Sequence, residues 1–140
     1  MFLWFSLFGL YLTPQTAPSS PKKATLTIEV HNLKSQKGAV FIALFKPGES
    51  FPSGKPIEGK KLDIQGNSVQ ATLSVEPGDY AVAVFHDENN NGKLDKNMFG
   101  IPKEPYGFSN NFRPKMSAPK FSDCQFTAGD GGKSIQIAVK

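Results

Sequence analysis

The sequence predicts an all-β fold: an antiparallel β-sandwich of seven strands with one long ordered loop. Three observations carry this expectation. Apolar and polar residues alternate at period two in several short runs. These runs recur about every ten residues and are separated by turn-rich segments, in keeping with 13 Gly and 11 Pro among 140 residues. No window has convincing helical periodicity. A hydrophobic content of 39% at this length is enough for one domain with a real core.

Each strand rests on a particular stretch. ATLTIEV (24–30) puts Leu26, Ile28 and Val30 on one face and Thr25, Thr27 and Glu29 on the other, which describes a half-buried strand. SQKG (35–38) is a turn. AVFIALF (39–45) is apolar on both faces and suits a central strand. The Pro- and Gly-rich segment 46–59 is a loop. KLDI (61–64), a GN turn and SVQATLSV (68–75) read as a hairpin. PGD (77–79) leads into YAVAVFH (80–86), again apolar on both faces. FSDCQF (121–126), a GDGG turn and SIQIAV (134–139) complete the set. The two doubly apolar strands are expected in the middle of their sheets. Burying one Val or Leu there contributes roughly 1.5–3 kcal/mol, so a charge at Val84 or Ile42 is expected to unfold the domain.

MFLWFSLFGLYL (1–12) has no charged side chain. A spanning helix needs roughly 20 apolar residues, and this run suits the apolar region of a secretory signal better. Ala17-Pro18-Ser19 supplies small residues for cleavage after Ser19. The expected organisation is therefore a signal peptide over 1–19, a linker over 20–23 and the sandwich over 24–140, with no stable membrane span in the mature protein. No Lys or Arg precedes the apolar run, and a short interfacial anchor is the alternative. The single cysteine, Cys124, cannot form an internal disulfide and is expected to be a small core residue. Export without disulfides suits a bacterial envelope protein, periplasmic or extracellular. The net charge of +4 favours anionic surfaces but is no nucleic-acid footprint.

Residues 96–119 form a segment longer than the ~12–15 residues usual for a loop in a compact domain. It carries Met98, Phe99, Ile101, Tyr106, Phe108, Phe112 and Met116, too much apolar surface for a disordered tract. It is expected to pack over one end or edge of the sandwich. Between Lys93 and Lys120 there are six basic and two acidic residues. Its aromatic residues suit either a stacking platform or the loop's own small core.

HDENNNGKLD (86–95) places Asp87, Asn89, Asn91 and Asp95 at positions 1, 3, 5 and 9 of a cation loop, with Gly92 at the sharp turn and the Lys93 carbonyl at position 7. Position 12 is Met98 rather than a bidentate Glu, and a strand enters the loop instead of a helix. The candidate is thus a weak Ca²⁺ site, with Glu104 or Asp123 as the candidate carboxylate from outside the loop. Interlocked Asx-turns without any ion are the competing reading. His86 shares a face with Tyr80, Val82 and Val84, so a buried imidazole bonded to loop backbone is expected. A catalytic role would need a nucleophile and an orienting group, and Asp87 falls on the opposite face. His31 is expected at the surface. There is no nucleophile elbow, P-loop, CxxC or HExxH.

The run VFHDENNNGKLDKNMFGIPKEPYGFSNN, with LTIEVHNLKSQKGAVFIALF, the SFPSG loop and EPGDYAVAVFHDEN, resembles the signature of a bacterial exported family, domain of unknown function 2141. The likeness covers about Ala24 to Lys140. It implies a transthyretin-like or immunoglobulin-like sandwich in a small secreted or periplasmic protein without an established activity. It supplies no catalytic residue. Its signature positions here are His86, Asp87, Asn89, Asn91, Gly92, Asp95, Gly100, Pro102, Tyr106, Gly107, Phe108 and Asn110.

The functional expectation is a non-enzymatic binding or structural module of the envelope. Its recognition surface combines loops 87–95 and 96–119, with Tyr106, Phe108, Asn110 and Arg113 as binding residues. The partner is an envelope protein or an anionic surface ligand, not nucleic acid. The alternatives are a calcium-stabilised structural domain and, further off, a hydrolase using His86.

Overall fold

Alternation in the first strand becomes alternation in burial. In β1 (Ala24–His31) Leu26, Ile28 and Val30 are fully buried while Thr25 is exposed. A computed structural model describes residues 14–20, 22–48 and 50–140. The apolar run expected to be a signal lies outside the described residues. Residues 14–20 are exposed and irregular. Among the described residues, no helix is long and apolar enough to cross a membrane.

The strands after β1 are β2 (Ala39–Phe45), β3 (Glu58–Asp63), β4 (Ser68–Val75), β5 (Gly78–Asp87), β6 (Tyr106–Phe108), β7 (Phe126–Ala128) and β8 (Lys133–Ala138), with a 3-10 turn (Ser109–Asn111) and a short α-helical turn, α1 (Phe121–Cys124), between β6 and β7. The expected all-β sandwich is present, with eight strands rather than seven among the described residues. One sheet has the order β4-β1-β8. The other runs β3-β2-β5-β6, and β7 continues the β6 side along the first residues of β5. The core between them joins Leu26, Ile28 and Val30 to Val40, Ile42 and Leu44 of β2 and Tyr80, Val82 and Val84 of β5. Val84 is 3% exposed and Ile42 2%, the burial that makes a charge at either position costly.

Four sequence expectations change. The two doubly apolar strands are central, but side by side in one sheet, with Val40 opposite His86 and Ile42 opposite Val84. The expected 61–75 hairpin does not pair. β3 bonds to β2 and β4 to β1, so the chain crosses between sheets after Asp63, and Ile64 plugs the crossing at 9% exposed. The stretch 121–126 begins as a helical turn because the Asp123 carboxylate accepts the Lys120 N–H at 2.9 Å, a local bond that competes with strand pairing. Finally, β1 and β8 pair in parallel, Ile28 opposite Ile135. The sheets also meet at one edge, where Tyr106 and Lys140 exchange backbone bonds of 3.1 and 3.2 Å.

A second, smaller apolar cluster lies on the outer face of the five-stranded sheet. Ala81, Phe108 and Cys124 are buried there, with Phe51, Tyr106, Phe112 and Phe121 packed around them. Phe51 is the hub, 5.1 Å from Phe45, 5.8 Å from Phe108 and 6.2 Å from Phe121 in edge-on arrangements. Part of the 96–119 segment thus covers one end of that face, as the apolar content of the loop required. The rest does not: Met98, Phe99, Ile101 and Met116 remain 59–99% exposed.

Candidate functional site

At the end of β5, strand alternation sends His86 toward the core side and Asp87 to the other face, and both are fully buried. The His86 Nε2–H donates to the Lys37 carbonyl at 2.6 Å. Its Nδ1 finds no hydrogen-bond partner among the described residues, and the nearest carboxylate oxygen, of Glu88, lies 3.9 Å away. His31 is half-buried and lines a shallow polar depression with Glu29, Asn67 and Gln136 in which His86 has no part.

The loop after Asp87 brings its oxygen-bearing side chains together and binds them to one another. The Asp87 carboxylate accepts the Gly92 N–H at 2.7 Å and the Asn91 N–H at 3.2 Å. The Asn91 side-chain oxygen accepts the Lys93 N–H at 2.9 Å, and that of Asn89 accepts the Asn91 N–H at 3.3 Å. The amides of both Asn89 and Asn91 donate to the Asp95 carboxylate. Those bonds, from Asn91 first and then Asn89, hold the Asp95 carboxyl below its ordinary range. Gly92 sits at φ +79, which few side chains tolerate.

Glu104 reaches this loop but bonds backbone: Oε2 accepts the Glu88 N–H at 2.6 Å and Oε1 the Asp95 N–H at 3.0 Å. Asp123 lies in α1 and takes no part. Asn97 makes a further turn of the same kind, accepting the Phe99 and Ile101 N–H groups at 2.9 and 3.1 Å, and Lys103 N–H donates to the Asp95 carbonyl at 2.7 Å. The result is a hydrogen-bonded buttress at one end of the outer sheet face. Its carboxylates are directed at N–H groups, not at a common centre, and no group of three or more acidic, His or Cys side chains converges among the described residues.

Between this buttress and the Phe51 cluster, the middle of the outer face is uncovered. Its register makes two rows. Lys61, Phe41, Phe85 and Tyr106 are opposite one another across four strands; Gly59, Ala43, Ala83 and Phe108 form the next row. The small row is a floor. Beside it Phe41 and Phe85 stack at 5.1 Å and 6°, while Pro52, Leu94 and Ala118 overhang from the loops. The groove encloses about 640 Å³, within the range of small-molecule sites. Lys60, Lys61 and Lys96 are its charged lining residues among those described, and no Asp or Glu joins them. The Lys61 Nζ is 5.8 Å from the Phe41 ring centre.

Of the expected binding residues, Tyr106 and Phe108 line this groove and Asn110 and Arg113 do not. Asn110 adopts φ +62 and its amide donates to the Gln125 carbonyl at 2.9 Å. Arg113 stacks on the Tyr106 ring at 4.7 Å and donates to the Tyr106 carbonyl at 2.9 Å. Both support the wall. The floor residues Gly59, Ala43, Ala83 and the pair Phe41 and Phe85 were missed by sequence reasoning. The signal was there in the outer-facing positions of the two doubly apolar strands, read only as burial.

A family model described as "Uncharacterized protein conserved in bacteria (DUF2141)" matches residues 28–136, most of the chain. No curated protein and no solved structure matches it.

Proposed function

We propose, for a chain that belongs to the DUF2141 family of proteins conserved in bacteria, a non-catalytic ligand-binding module of the cell envelope. Its recognition surface is the groove on the outer face of the five-stranded sheet, walled by the 96–119 segment. The 87–95 loop acts on that surface indirectly, as the buttress that fixes the start of the wall. The observation that carries this reading is the half-open apolar middle of an otherwise covered sheet face: Phe41, Ala43, Ala83 and Phe85 point outward there and stay only half-buried, Ala83 against the edge of the Phe51 cluster, in a concavity of about 640 Å³. A concave, mostly apolar site with few polar groups is the usual form of a ligand pocket.

His86 has the surroundings of a structural residue. Its Nε2 is committed to a backbone carbonyl, and Ser109, the buried hydroxyl nearest the groove wall, spends its Oγ on the Val82 N–H and the Cys124 carbonyl. Export rests on the uncharged apolar start and the small residues before Ser20. N-terminal sequencing of protein recovered from the periplasm or medium of a producing bacterium is expected to begin at Ser20.

The groove is tested with a neutral apolar dye, N-phenyl-1-naphthylamine, whose fluorescence rises on leaving water. Wild-type protein is expected to bind it saturably. Ala83→Phe, which fills the floor, is expected to abolish binding while leaving the melting transition in place. Equal dye binding by wild type and Ala83→Phe overturns the reading.

A further inference from the structure

We infer that the groove takes a single-chain anionic amphiphile, a long-chain carboxylate, with its head at the β3 edge and its tail running toward the 99–102 and 114–119 segments. The inference rests on the binding reading above and adds the ligand's class.

Shape is the first argument. The small-residue floor crosses four strands, from Gly59 to Phe108, which at three interstrand spacings is roughly 14 Å. The groove does not end there. Leu94, Lys96, Tyr106, Phe108 and Ala118 also line a second cleft of about 490 Å³. Phe99, Ile101 and Met116 line this cleft as well. A path this long, with a floor of small side chains, fits an extended chain better than a compact ring system.

The second argument is unspent apolar surface. Phe99, Ile101 and Met116 are 80, 59 and 99% exposed, although the turn that carries Phe99 and Ile101 is held by Asn97 and by the Lys96–Pro102 bridge. All three are large hydrophobic side chains presented to water, two of them from a bonded turn, and they line the continuation of the groove. An acyl chain laid along the path covers them, and burial of each methylene contributes to affinity.

Charge is the third. The described lining residues of the two clefts include Lys60, Lys61, Lys96 and Lys115, and no Asp or Glu. Of the acidic residues near the lining in sequence, Asp95 is engaged with Asn89 and Asn91 and Glu104 with backbone N–H groups, while Glu58 and Asp63 of β3 are not among the lining residues. The lining therefore favours an anion over a cation or a neutral head. Lys61 is the best placed to receive it, because its ammonium already lies over Phe41 at the start of the floor.

Displacement of N-phenyl-1-naphthylamine from the full chain by dodecanoate, dodecanol and octanoate tests the inference. Dodecanoate is expected to compete about five-fold better than dodecanol, the range of one partly exposed ion pair, and well over ten-fold better than octanoate, which lacks four methylenes. Lys61→Gln is expected to erase the preference over dodecanol, as is high salt, while Lys133→Gln, at the start of β8 in the other sheet, leaves it. Gly59→Leu, at an exposed edge position with room for a side chain, is expected to block all three competitors and the dye, as a second floor-filling variant beside Ala83→Phe. If dye binding is blocked by Gly59→Leu but dodecanoate and dodecanol compete equally, the groove stands and the anionic class falls. Octanoate competing as well as dodecanoate overturns the extended chain. Failure of the dye to bind wild type at all removes the groove reading and this inference with it.

Discussion

The Asp87 carboxylate gives the sharpest test of how the polar loop is held. It is fully buried, forms no ion pair among the described residues, and accepts two backbone N–H groups at 2.7 and 3.2 Å. Hydrogen bonds to a charged group contribute about 1.5–3 kcal/mol each. The longer bond lies at the weak end of the distance range. Asn91 and Gly92 are exposed, so water can reach their freed N–H groups once the carboxylate is gone. Asp87→Ala is therefore expected to cost about 3 kcal/mol in all, and Asp87→Asn, which keeps one acceptor, about half of that. For a domain of this size 3 kcal/mol corresponds to a fall of about 10 °C in melting temperature. The assay is thermal and urea unfolding, each in chelator and in calcium. If hydrogen bonds alone hold the loop, calcium leaves the wild-type transition where it is. A weak calcium site with Kd near ~10⁻³ M would instead add about 1.4 kcal/mol in about 10 mM Ca²⁺, a rise of about 5 °C. Two results refute the reasoning: an Asp87→Ala variant that melts with wild type, or a wild-type transition that climbs with calcium.

Three other outcomes follow from single residues. The buried Cys124 thiol is pushed up to about 12, by burial first and by Asp123 second, so a maleimide at mildly alkaline pH is expected to leave the native protein unlabelled and to modify it stoichiometrically in denaturant. The Asp95 carboxyl is lowered from its ordinary 3.8; a group depressed in the folded state contributes fully above its unfolded value and loses that contribution as pH falls through the folded one. Amide exchange over residues 88–95 is thus expected to quicken only below the ordinary Asp range, and Asn91→Ala is expected to bring the Asp95 titration back toward 3.8 by NMR. Gly38 sits at φ +71 with the Asp87 carbonyl oxygen 1.8 Å from where a Cβ would be, so Gly38→Ala is expected to cost about 3 kcal/mol or more in urea unfolding.

The strands that alternate cleanly were legible because burial on one face writes itself into the sequence. β1, β2, β4 and β5 lie within a few residues of where their patterns put them. Sheet membership was not legible. β3 follows β2 and precedes β4, and nothing in KLDI or SVQATLSV chooses between pairing with each other and pairing with strands far away in the chain. That choice is made by the core, which needs Ile64 at the crossing between sheets. The three-residue β6 is too short for a period, and its Gly107 faces Ile137 and the Ala138 carbonyl across the sheet junction, a contact visible only once the C-terminus is in place. In FSDCQF, one side-chain bond from Asp123 outweighed an apolar spacing that fits a strand equally well.

The site shows a deeper asymmetry. The polar loop announced itself because its Asp and Asn residues are close in sequence and their turn chemistry is local; the interlocked bonds from Asp87 to Lys93 need only that one stretch. The groove needs Gly59, Ala43, Ala83 and Phe108 in register, four residues drawn from across half the chain, and three of them are unremarkable small residues. A strand apolar on both faces is normally covered on both. Here the outer face is covered only where the Phe51 cluster and the Asp87–Glu104 buttress reach it. What decides between a closed face and an open one is the length of the overhang from the 96–119 segment, because its anchors at Asn97 and at Ser109 fix how far each end extends. The buttress and the groove are therefore one device: a loop that must be stiff enough to stop short.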